Sequence, residues 1–160
     1  MIRITKIAAA LFIGAIGALF FLDNLFNLEA AFSVVSFVVS GAEQPYYKIF
    51  GPTVSSTWLT YLALLMIMVA ELVVGVLGFV GAFLMFNHRK GSAEDFSIAK
   101  TPAISAGVLG MLVWYGFFVV IGEGYFQMWQ TETGLGSAEG AFRYGTICAI
   151  FMFYIATKND

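Results

Sequence analysis

Charge is what this chain has least of. Only 11% of its residues are Asp, Glu, Lys or Arg, against the roughly one quarter usual in soluble domains. Since 60% are hydrophobic, the solvent for most of the chain is lipid. Basic residues number 8 and acidic ones 10, for a net charge of -2. No basic stripe is left to displace counterions from phosphates, which argues against nucleic acid as a partner. A single cysteine, Cys148, rules out an internal disulfide, and its place inside an apolar run predicts a buried, inert thiol. A single histidine, His88, cannot by itself supply a bis-His haem site or a zinc site. With His88 in one loop and Cys148 in the last apolar run, no Ser/His/Asp or Cys/His arrangement exists, and there is no glycine-rich phosphate loop. The expectation is a non-enzymatic protein that binds no cofactor of its own.

What the chain has instead is long apolar runs. A helix needs roughly 20 apolar residues to cross about 30 Å of hydrocarbon. Four runs meet this need approximately: Ile4 to Leu22, Trp58 to Phe86, Ala103 to Ile121 and Ala141 to Thr157. The first follows Arg3 and Lys6, as a signal peptide would, but it ends in Phe20, Phe21, Leu22 and Asp23 without a small-x-small cleavage site, so it is read as a span. The expected fold is an all-α membrane protein, a bundle of four transmembrane helices in one domain.

Lys and Arg concentrate in cytoplasmic flanks. Arg3 and Lys6 flank the first run, Arg89, Lys90 and Lys100 separate the second and third, and Lys158 follows the fourth. Both termini are therefore expected on the cytoplasmic side of a bacterial inner membrane. The opposite face carries Asp23, Glu29, Glu43, Glu123, Glu132 and Glu139. Within the first outer segment, Leu28 to Val39 is apolar but too short to span, which predicts a short helix lying on the outer ends of the bundle. The second outer segment joins Tyr125, Phe126 and Trp129 to a flexible Gly134, Leu135, Gly136, Ser137 stretch. No internal repeat supports an inverted-repeat transporter.

Glu71 stands near the middle of the second run. A carboxyl at that depth costs at least a few kcal/mol, so it is neutral and hydrogen-bonded, paired with a cation, or turned toward a polar route or ligand. The cation inside a span is Arg143, near the outer end of the fourth, and Glu71 lies about 13 residues from Trp58, roughly 15 Å or more below that surface. Glu123, at the outer end of the third run, is the easier partner for Arg143. Small residues recur within the runs, with Gly14 and Ala18, Gly75, Gly78 and Gly81, and Gly107 and Gly110. They permit close helix approach, within one bundle or along a dimer seam.

Aromatics crowd the outer end of the third run. Trp114, Tyr125, Phe126, Met128, Trp129 and Gln130 read either as an interfacial belt or as a docking surface, because aromatics and Met anchor partner interfaces. The run WYGFFVVIGEGYFQMWQT, followed after a short loop by AFRYG, resembles the signature of a bacterial family of predicted small integral membrane proteins, a domain-of-unknown-function family. That family has a Gly-Gly-Glu-Trp-Phe-x-Met-Trp-Gln-Ser type segment ahead of Ala-Phe-Arg. The resemblance extends along the chain through Asp23, Asn27, Glu71, Phe96, Lys100, Met128, Trp129, Gln130 and Arg143. Gly124 replaces the family's glutamate, with Glu123 one position earlier, and Ser36 to Gly41 replaces a His-Val-Leu-Ser-Met-Asp type segment. The resemblance implies fold and topology and supplies no activity. The functional expectation is an accessory or structural subunit of a larger inner-membrane assembly, surrounded by lipid and docked on protein partners or on its own copies. The alternative is a small homo-oligomeric transporter or channel with Glu71 lining the route.

Overall fold

The structure is a computed structural model and describes residues 1–158. Its described residues form helices joined by turns. α1 runs Ile2–Phe26, α2 Leu28–Ser40, α3 Thr57–Asn87, α4 Ala93–Ala99 and α5 Thr101–Met111; the last continues as a π-helical segment, Leu112–Tyr125. A single 3-10 turn, Met128–Gln130, then leads into α6, Glu132–Ala156. α2 is the short helix expected in the first outer segment, and it stops where Gly41 takes a left-handed backbone (φ 67°) that costs glycine nothing.

Three helical stretches are long and apolar enough to cross a membrane: Ile2–Phe26, Thr57–Asn87 and Ala93–Tyr125. The fourth expected span falls inside α6, which at 25 residues has the length. Glu132, Glu139 and Arg143 dilute the apolar character of its first half. The Gly134 to Ser137 stretch, expected to be a flexible loop, belongs to this helix. The third stretch also departs from plain α geometry. Beyond Met111 its bonds widen to the i→i+5 pattern, as where the Phe126 amide donates to the Ile121 carbonyl (2.9 Å). This is where Trp114, Tyr115, Phe117 and Phe118 follow one another, and a wider turn gives such large rings more room.

α1 packs on α3, α3 on α5, α5 on α6, and α6 returns to α1. Glycines set the spacing of these seams. A Cβ on Gly78 would lie 2.5 Å from the Gly14 backbone, and one on Gly17 would lie 2.6 Å from the Glu71 carbonyl and the Gly75 amide. Gly81 meets Ala103, while Gly107 and Gly110 meet Met152 and Cys148. The small residues read from the sequence are thus used within the chain, in the backbone-to-backbone contact that substitutes for hydrophobic drive in lipid. Cys148 is fully buried.

One end of the molecule is basic. The Lys6 ammonium, 0% exposed, donates to the Thr157 carbonyl (2.7 Å), and Lys100, 2% exposed, donates to the same oxygen (2.9 Å). Two cations thus converge on the C-terminal end of α6, where the helix dipole is negative. Arg3 donates to the Arg89 and Gly91 carbonyls (3.1 and 2.8 Å) and lies over the Phe96 ring. The Thr5 and Tyr154 hydroxyls are also hydrogen-bonded there.

Candidate functional site

At the other end the outer segments are tied together by Gln130. Its amide nitrogen donates to Gln44 Oε1 (2.7 Å) and the Tyr47 carbonyl (2.9 Å), and its Oε1 accepts from the Tyr46 and Tyr47 amides. Gln44 in turn donates to the Phe126 carbonyl, and the Tyr125 hydroxyl donates to the Pro52 carbonyl. Met128 is wedged between Gly122 and Gly134, where added Cβ atoms would sit 2.7 and 2.0 Å from it.

This geometry corrects the docking surface expected from the sequence. Trp114 and Met128 are each 2% exposed, and Phe126 is buried with them. Gln130 spends its hydrogen bonds inside the chain. Tyr125 is half-buried, and Trp129 is left exposed with its indole N–H donating to Gln127. The aromatic composition was the same for an outward belt and an inward one; the wide π turn and the glycine sockets for Met128 turn it inward. The expected Glu123–Arg143 ion pair is also corrected. Arg143 instead meets Glu139 (3.4 Å), one turn earlier on α6, because the i,i+4 spacing brings them together on an exposed face.

Glu71 is 1% exposed. Its Oε2 accepts from the Asn24 side-chain amide (2.9 Å), across the seam between α3 and α1. Its other oxygen makes no hydrogen bond among the described residues. Glu71 is one of the residues that line a chamber of about 540 Å³. The chamber lies between the last turns of α1, α2, the middle of α3, the π segment and the first half of α6. Its polar lining consists of Asp23, Asn24, Asn27, Glu71, Ser137 and Tyr144, with no Lys, Arg or His. Asp23 and Asn27 are exposed at its mouth and bonded to each other (3.0 Å), whereas Glu71, Trp114 and Ala141 are buried in its wall. Phe20, Trp114 and Tyr144 pack ring against ring along one side, with Phe20 and Tyr144 centroids 4.4 Å apart.

Of the three sequence readings of Glu71, the hydrogen bond to a neighbouring helix is present, and Glu71 also lines a cavity. Asn24, its partner, was missed, as were the Phe20 and Tyr144 rings. A signal existed: Asp23, Asn24 and Asn27 stand at i, i+1 and i+4 where the first apolar run ends. Such a cluster at the end of a span places amides and a carboxylate on neighbouring faces of the last turn. Among the described residues no group of His, Cys, Asp and Glu side chains is arranged to hold a metal ion.

Long apolar helices with exposed Leu, Val, Phe and Met along them, and a carboxyl buried at mid-helix, define an integral membrane protein. The chain belongs to the family described as predicted small integral membrane protein (DUF2165), whose model matches residues 2–158. No curated protein and no solved structure matches it.

Proposed function

We propose that this is a non-enzymatic, four-span protein of the bacterial inner membrane, of accessory type, whose own task is to hold a small ligand in the Glu71 chamber. The observation that carries this reading is a buried carboxyl, Glu71, in the lining of a cavity of about 540 Å³, a size within the range of small-molecule sites. The half of the bundle beyond Glu71 favours holding over conducting, because Gly14, Gly17, Gly75 and Gly78 bring α1 and α3 together backbone against backbone there. The basic end then faces the cytoplasm with both termini, and the chamber opens in the outer half. A docking role is supported by what is still exposed on the outer segments, namely Tyr46, Tyr47, Phe50 and Trp129.

Native mass spectrometry of the protein extracted gently from its own membrane tests this. A small molecule bound at fixed stoichiometry supports the chamber, and a stoichiometric protein partner supports the accessory role. A bare monomer with neither would overturn both. The second reading, a homo-oligomeric carrier, is favoured by the same buried carboxyl. It requires liposome flux that Glu71→Gln abolishes.

A further inference from the structure

Resting on the chamber reading above, we infer that the ligand is an organic ammonium ion carrying an apolar tail. The head of the site is built for a cation. Two carboxyl groups, Asp23 and Glu71, share a chamber with no Lys, Arg or His in its lining, so an entering ammonium meets acceptors and no competing charge. The Phe20, Trp114 and Tyr144 rings line the same chamber, and aromatic rings are the other means by which proteins bind alkylated ammonium groups. Asn24 holds one oxygen of Glu71 and leaves the other without a hydrogen bond among the described residues.

The tail has its own compartment. An apolar cavity of about 220 Å³ adjoins the chamber, sharing Val34, Val35, Ile67, Phe118 and Ser137 with it and continuing along Val38 and Phe117. No charged residue lines it. A chamber with two carboxyls in an otherwise largely apolar lining and an apolar annex together match a molecule with a cationic head and a hydrocarbon end. The alkylammonium group also occurs in phospholipid headgroups, but their phosphate would enter a site whose lining offers two carboxyls and no cation. The geometry therefore favours an ammonium compound that lacks phosphate.

The test uses the full chain in a maltoside detergent, with octyltrimethylammonium, octanol, octanoate and lysophosphatidylcholine as probes. Binding is read by calorimetry and by tryptophan fluorescence, for which Trp114 lies in the chamber wall. Octyltrimethylammonium should bind about tenfold or more tighter than the other three, and Asp23→Asn and Glu71→Gln should each remove about that factor. Asp23 is exposed at the mouth, so an unchanged melting temperature for its variant separates lost binding from lost fold. Equal binding of octanol or octanoate would overturn the cation inference while leaving the chamber a binding site. Equal binding of lysophosphatidylcholine would make a lipid headgroup the source and overturn the exclusion of phosphate. If no probe binds, and Val35→Trp changes nothing, the chamber reading fails as well.

Discussion

The Asn24 amide donates to Glu71 across the seam between α1 and α3, so substitutions at Glu71 divide by whether they keep an acceptor. Glu71→Gln keeps one, and the variant should melt close to the parent. Glu71→Leu strands the amide and should cost about 1–2 kcal/mol, read as a lower midpoint of thermal unfolding in detergent; equal midpoints for the two variants would contradict this. Gln130→Ala removes two donated and two accepted bonds between the outer segments. It should cost about 2 kcal/mol and speed proteolysis between Gly41 and Ser56 while the helices stay intact. Glu71 was legible because a carboxyl inside an apolar run has no ordinary explanation. Its partner was not, because an amide in the last turn of a span looks like a polar flank. Lys6 and Lys100 were read as markers of a cytoplasmic flank, and Lys100 also as part of the family resemblance, since nothing in one dimension shows two lysines meeting one carbonyl.

At the scale of elements, glycine position decides more than glycine number. Gly17→Ala or Gly78→Ala puts a methyl against backbone atoms that have no rotamer to escape into, and each should destabilise by about 1–3 kcal/mol. Gly136→Ala, in α6 with nothing within 4 Å of the added carbon, should be neutral or gain about 0.5 kcal/mol. Comparison of the three by thermal unfolding tests whether the α1–α3 seam is the tight one. The long helices were legible from their apolar runs and α2 from its shortness, whereas α4, with Glu94 and Asp95 in its first turn, was not. The start of α6 was not: Gly134 and Gly136 weaken helix propensity, yet Thr131 caps the helix, its hydroxyl accepting from the Gly134 amide (3.1 Å), and Met128 fits only against a glycine at 134. Tertiary contact overrode local preference. The π segment likewise carries no sequence rule that separates it from an α-helix of the same composition.

For the whole molecule, the proposed orientation rests on the basic end, which Lys and Arg would hold on the cytoplasmic side. With Cys148 replaced by Ala, a cysteine introduced by Ala93→Cys, at the start of α4, should be shielded from impermeant thiol reagent in intact cells. One introduced by Ser55→Cys, in the exposed segment before α3, should react. Labelling at Ala93→Cys would invert the topology. The meeting of Lys6 with the end of α6 has a further consequence, for biogenesis. The two partners are separated by 151 positions, so α1 waits for α6 before the ring of helices can close. The bond that joins Lys6 to the end of α6 is thus among those that can form only once all the helices between them are in place.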